Sequence, residues 1–256
     1  MVAFLKSFVR EEVATPPESD WLKNPLGQYL LSHEKTIYDQ NITDIFGFNA
    51  LQIGLLEMDL LQQSRIPKRI HVDSKCGDVI CESNYLPFAS STIDLVCMPH
   101  VLEFSEDPHQ TLREVERVLV PEGHLVLTGF NPMSTWGLRR RLSKCKHMPW
   151  CGRNLTLGRI KDWLALLGLE YVSGGHAVYV IPVNDAHWIA RQKHLANFSA
   201  KYFPMIGGIY YLVAKKRVAN MHLLKPNWKK PIVKSGLVVS SHKPRPIKNK
   251  KTSSNK

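Results

Sequence analysis

His100 stands directly behind the apolar run at residues 92–98, with Glu103 three positions further on. An imidazole there can exchange a proton near neutral pH, which makes His100 the natural candidate for a general base; Glu103 is better suited to supporting the loop. Asp73 and Glu82 each end a short strand-like run, at residues 69–73 and 78–82, and a carboxylate in such a place can accept two hydrogen bonds. Cys145 and Cys151 frame Lys-His-Met-Pro-Trp, but that spacing matches no zinc pattern and brings no fourth ligand, so no metal is expected. Arg139, Arg140 and Arg141 are able to receive an acidic substrate or phosphate, although three arginines on a helix also make an ordinary solvated face.

These residues need a scaffold, and the apolar pattern supplies one. Residues 49–54, 92–98 and 124–129 are continuous apolar runs of strand length, the pattern of strands buried on both faces. Between the last two, Leu112, Val115, Val118 and Leu119 recur at helical spacing behind Asp107-Pro108, an N-cap followed by a first-turn proline. Leu22, Leu26, Tyr29, Leu30 and Ile37 predict a helix before the first strand, and residues 55–65 and 157–167 predict two more. A basic amphipathic piece is expected at 134–146. Residues 169–172 and 209–214 would close the sheet as an antiparallel pair. Strands alternating with amphipathic helices argue for a parallel sheet covered on both faces.

Composition limits the setting. The chain has 256 residues, 44 % of them hydrophobic, enough for one generous α/β domain with appendages. No apolar run reaches the roughly 18 residues of a membrane span. The start, MVAFLKSFVREEVATPP, lacks a basic n-region and a cleavage site, so it is not expected to direct secretion. Five scattered cysteines fit free thiols, and a cytoplasmic location is expected. Of the net charge of +12, ten units come from residues 225–256, which contain no Asp or Glu. That polar, Pro-containing stretch is expected to be disordered. It could touch RNA or anionic lipid weakly through charge, or serve only as a solubilising extension.

The stretch Leu-Pro-Phe-Ala-Ser-Ser-Thr-Ile-Asp-Leu-Val-Cys-Met-Pro-His-Val-Leu-Glu-Phe at 86–104 resembles the heart of the type 11 methyltransferases. So does Leu-Arg-Glu-Val-Glu-Arg-Val-Leu at 112–119, with the turn Pro121-Glu-Gly123 after it. The resemblance implies an α/β, doubly wound fold: a mostly parallel, seven-stranded, Rossmann-like sheet over residues 49–218. Residues 1–48 would form a helical lead-in, 187–204 a substrate cover, and 225–256 the basic tail. It implies S-adenosylmethionine as cofactor, lying across the carboxyl ends of the first strands. Gly54 would be the first glycine of the cofactor loop, Asp73 would bind the ribose hydroxyls, and Glu82 with the backbone of Ser83 would bind adenine. Pro99 and His100 would face the sulfonium and a small-molecule or lipid-like acceptor.

Two departures from the family's pattern are visible. Leu55, Leu56, Glu57 and Met58 stand where further glycines are expected, and leucine side chains take room that the cofactor needs. Only eight residues separate Asp73 from Glu82, too few for a parallel crossover with its helix. The edge around strands two and three is therefore remodelled, either as a hairpin at residues 75–77 or with one strand vestigial. Three functions remain open on the residues alone: a methyltransferase of small or lipid-like acceptors, a binding or regulatory protein that has lost efficient transfer, and an RNA methyltransferase.

Overall fold

The computed structural model describes residues 20–142, 152–192 and 202–217. The basic stretch at 225–256, the pair Cys145 and Cys151, and the middle of the expected substrate cover lie outside the described residues.

The apolar runs form seven strands: β1 (Asn49–Ile53), β2 (Lys68–Asp73), β3 (Val79–Ile80), β4 (Ile93–Pro99), β5 (Leu119–Phe130), β6 (Leu169–Ala177) and β7 (Ile209–Lys216). They pair in the order β3-β2-β1-β4-β5-β7-β6. The first five in that order run parallel, and β7 is antiparallel to both β5 and β6. The expected mostly parallel sheet is thus present, with its closing antiparallel pair. Pro121-Glu-Gly123 does not end a strand. It is bulged out inside β5, where the register with β4 slips between Ile93 and Leu95 and Glu122 takes a positive φ of 66°.

Alternate residues of each strand face opposite ways, and they sort into two cores. Leu51, Val96, Met98, Leu125 and Leu127 pack with Leu112, Val115 and Val118 of α4 (Pro108–Val118) and with Ile160 and Leu164 of α6 (Leu157–Leu166). Asp107 starts α4 as expected, its side chain accepting from the backbone N–H of His109 and Gln110, a cap that contributes about 1 kcal/mol. On the other face, Ala50, Leu95, Cys97 and Val126 pack with Tyr38 and Ile42 of α2 (Pro25–Ile42), reached through the short α1 (Asp20–Lys23). Leu26 and Leu30 of α2 join Trp136 of α5 (Thr135–Leu142) in a third cluster. The helix before β1 is therefore built into the core.

Two expectations are corrected. Residues 55–65 do not form a helix; they pass through turns, though Leu60, Leu61 and Ile66 bury themselves where a helix face would have packed. The cause is Gln52, fully buried near the end of β1. Its Nε2 donates to the carbonyls of Leu55 (3.0 Å) and Met58 (2.8 Å) and, at 3.3 Å, of Gly54; its Oε1 accepts from the N–H of Leu60 (2.9 Å). The Leu60 N–H, given to a side chain, is withdrawn from any i→i−4 bond, and the amide ties the carbonyls of this segment into turns. Nor do β2 and β3 form a hairpin. They are parallel, joined through residues 74–78, and β3 is a two-residue remnant pairing Val72 with Val79 and Asp73 with Ile80.

Candidate functional site

Strand order reverses at β1 and β4, so the crevice beyond their carboxyl ends is where an open α/β sheet receives a ligand. Gly54 follows β1 at φ +75°, and a Cβ there would sit 3.3 Å from a methyl of Val101, the first residue of α3 (Val101–Phe104). The two loops that border the crevice therefore come close enough at Gly54 that an added side chain would press on Val101. Leu55 follows in the left-handed region (φ 51°), and Leu56 turns aside to within 3.2 Å of where a Cβ on Gly77 would lie.

Asp73 ends β2. Among the described residues its carboxylate meets only its own turn, 3.4 Å from the N–H of Lys75 and 4.0 Å from the Cys76 thiol, which leaves lone pairs for two further donors. Glu82 is exposed and lines a polar cleft of about 380 Å³ with Asn84, Tyr85, Glu106, Asp107 and Gln110. Ser83 stands beside it, its hydroxyl 3.5 Å from that of Thr111. Asn84 is anchored by hydrogen bonds from Ser105 and Thr111.

Beyond β4 the site is dense with charge. His100 caps α3 in the left-handed region (φ 54°, ψ 11°) and is 6 % exposed. Its Nε2 lies 2.7 Å from Oε1 of Glu34, a residue of α2 with no solvent exposure, and its Nδ1 lies 3.7 Å from Oε2 of Glu103. Neither ring N–H aims straight at its carboxylate, so these are ion-pair contacts more than aligned hydrogen bonds. Thr128 donates to Glu34 (2.9 Å), the backbone N–H of Phe130 donates to Glu103, and Arg140 approaches Glu103 at 3.9 Å. The ring stacks on Phe130 with centroids 4.1 Å apart.

Burial by itself would pull the imidazole towards its neutral form, but the carboxylates of Glu34 and Glu103 outweigh it and raise the pKa to about 10. A general base needs a proton-free nitrogen turned towards an acceptor. Both nitrogens of His100 face buried carboxylates instead, and the ring keeps its proton at neutral pH.

Gly54, Asp73, Glu82, Ser83, Pro99 and His100 all lie at the carboxyl edge of β1 to β4, as the sequence leads one to expect. Two residues of this region were missed. Glu34 interrupts the buried stripe Leu26, Leu30, Glu34, Tyr38 at spacing i, i+4, and Gln52 interrupts the apolar run of β1. A polar side chain in the middle of an otherwise apolar face was the available signal for both.

The residues present fit S-adenosylmethionine unevenly. The adenosyl half finds two carboxylates with unused lone pairs and an adjoining polar cleft. The methionine half finds one glycine, a leucine in the left-handed region and no helix after β1 whose N-terminus could meet a carboxylate.

Comparison with known proteins agrees with this architecture. The sequence profile of the methyltransferase domain matches residues 56–127. The chain is 31 % identical over 201 residues to the uncharacterized protein YafS of Escherichia coli K12, covering 76 % of this chain and 80 % of that one. Among solved structures, a SAM-dependent methyltransferase from Thermotoga maritima superposes with a TM-score of 0.55 at 15 % identity, over 77 % of this chain and 97 % of that one. A geranyl diphosphate methyltransferase in complex with SAM gives 0.52 at 14 % identity, over 74 % and 86 %. From the motifs at 86–123, the sheet order and the match to YafS together, the chain belongs to the type 11 methyltransferase family.

Proposed function

We propose that this chain is an S-adenosylmethionine-dependent methyltransferase acting on a small-molecule or lipid-like acceptor. The observation that carries this is the polar cleft beside Glu82, opening on the same edge of the sheet as Asp73 and Gly54. Asp73 would take the ribose hydroxyls, Glu82 and the backbone of Ser83 the adenine, and the backbone at Gly54 and Pro99 the sulfonium end. When bound, the cofactor supplies an electrophilic methyl group on sulfur. The protein's part is then alignment and exclusion of water. Because His100 holds its proton, it serves to position the turn after β4, and the acceptor suited to the site is one whose nucleophile is already proton-free near neutral pH. Met133 and Met205, both exposed and both bonded through their backbones to Asn131 just past β5, form an apolar fringe suited to a lipid-like acceptor.

Calorimetry with S-adenosylhomocysteine tests this. Binding is expected, weakened about tenfold or more by Glu82→Ala and by Asp73→Ala, since each removes a charge-assisted hydrogen bond. No heat at millimolar ligand would overturn it. A second function, a binding protein that keeps the fold without transfer, is favoured by Leu55 in the left-handed region and Leu56 against Gly77. That outcome of the calorimetry would leave it standing.

A further inference from the structure

We propose that Glu34, acting through His100, is a positioning residue: the pair, completed by Glu103 and Arg140, locks the turn after β4 against the Gly54 loop and thereby sets the width of the cofactor crevice.

The first support is where Glu34 stands. Its neighbours on the same face of α2, Leu30 and Tyr38, are core residues, and a leucine at 34 would bury without desolvating a charge. The carboxylate instead reaches across to the loop after β4, accepting from Thr128 of β5 on the way. One of its oxygens, Oε2, has no hydrogen-bond partner among the described residues, and the same is true of Oε2 of Glu103. Two carboxylates this deeply buried need two cations nearby. His100 and Arg140 are the cations that face them. Among the described residues, the other titratable groups packed on the cluster are Tyr38 of α2 and Tyr210 of β7, and burial raises both phenols well above their ordinary range, so neither adds charge. Among those residues the set holds two negative and two positive groups.

The second support is what the ring holds. A left-handed conformation is one that residues with side chains avoid, yet His100 adopts it at the end of β4. The ring is gripped by Glu34 on one edge and stacked on Phe130, while its backbone N–H donates to the carbonyl of Thr128 (3.0 Å). Gly152, at φ +92°, covers the cluster from outside: a Cβ there would lie 2.9 Å from both Arg140 and the carbonyl of Glu103. The very next residue after the ring, Val101, faces Gly54 across the crevice border: a Cβ on Gly54 would lie 3.3 Å from its methyl. Moving the ring must therefore move Val101 relative to the Gly54 loop.

The effect on the cofactor rests on the function proposed above; the charge and hold of the ring do not. The experiment therefore reads both. In the full chain, nitrogen NMR of the histidine side chains follows His100, assigned by its disappearance in His100→Gln. In the wild type both ring nitrogens are expected to stay protonated from pH 6 to pH 9, and in Glu34→Gln the ring is expected to lose its proton within that range. Hydrogen exchange of the amides at 101–105 should speed up about tenfold in Glu34→Gln, and return towards wild type in Glu34→Gln/His100→Gln, which removes one charge of each sign. Affinity for S-adenosylhomocysteine should fall about tenfold in the single variant and recover in part in the double. A wild-type ring that titrates near pH 6.5, or a Glu34→Gln protein with unchanged titration and exchange, overturns the proposal. Should Glu34→Gln not fold, the wild-type titration still decides. If no form binds the ligand while the titration and exchange behave as expected, the lock stands and the methyltransferase function falls.

Discussion

Where β4 and β5 end, the turn is fixed by side chains from α2, α3, α5 and β5 that are almost wholly withdrawn from water; where β1 ends, the chain runs through coil held largely by the single amide of Gln52. The two regions border one crevice. The first is determined several times over, by charge, stacking and covering glycine, and a change in one member leaves the others unsatisfied. The second has given up the helix after β1 and most of β3, yet the sheet persists, because Leu60, Leu61 and Ile66 still bury what the helix would have buried. A parallel sheet needs its faces covered; it does not need them covered by helices.

The sharpest way to break this contrast is Gly129→Ala. Gly129 lies in β5 beneath the charged cluster, and a Cβ there would come 2.3 Å from the Tyr210 hydroxyl and 3.0 Å from Oε1 of Glu103. Neither can give way without disturbing the buried set, so overpacking is expected to cost about 3 kcal/mol. Thermal unfolding should fall by about 6–12 °C. A fall under about 2 °C would mean that the cluster is softer than its contacts imply.

Gln52→Ala probes the other side. It removes the acceptor of the Leu60 N–H and the donor to three carbonyls at once, leaving buried groups unpaired at a cost of about 2 kcal/mol. Because the segment carries little other structure, the loss should be local. Hydrogen exchange at 54–61 is expected to rise while that at 124–129 does not. Equal acceleration in both would show that the two regions unfold as one.

The pH dependence of stability separates them further. Burial works against the charged imidazole of His100, but Glu34 and Glu103 prevail and raise its folded pKa to about 10, above the ordinary 6.5. The folded state thus holds this proton more tightly than the unfolded chain does. The stabilisation is complete below pH 6.5 and is lost as pH rises towards 10. One proton contributes at most about 1.4 kcal/mol per pH unit. The wild type should therefore lose stability from pH 7 to pH 9 in chemical denaturation, and His100→Gln should show a flatter profile. Parallel profiles would remove the imidazolium from the account.

The same contrast explains what the sequence disclosed. Strand runs, the Asp107 cap, the helical faces of α2, α4 and α6 and the closing antiparallel pair are local or periodic signals, and each was legible. The missing helix in β2-to-β3 followed from chain length alone. What was hidden depends on contacts made at a distance. Leu55, Leu56, Met58, Leu60 and Leu61 carry a helix-like pattern, and only the reach of Gln52 across six and eight residues redirects them. The partner of His100, Glu34, lies 66 positions earlier, on a helix whose part in the site no spacing announced. Gly54, Asp73 and Glu82 are singled out by resemblance alone, since nothing local distinguishes them from turn residues.

The smallest expected effect on stability belongs to Leu55→Gly, and its value is in the balance of terms. Leucine at φ 51° carries about 1–2 kcal/mol of conformational cost that glycine relieves. Glycine returns about 0.5–1 kcal/mol of that through the greater freedom of the unfolded chain, and the half-buried side chain gives up some apolar contact. Net stability should change by less than about 1 kcal/mol in either direction. Affinity is a different matter. If Leu55 narrows the approach to the backbone at Gly54, its removal should tighten binding of S-adenosylhomocysteine several-fold with little change in unfolding, because nothing in the β4–β5 region is disturbed. Unchanged affinity in a variant of unchanged stability would place the obstruction at Leu56, against Gly77, and would move the next substitution there.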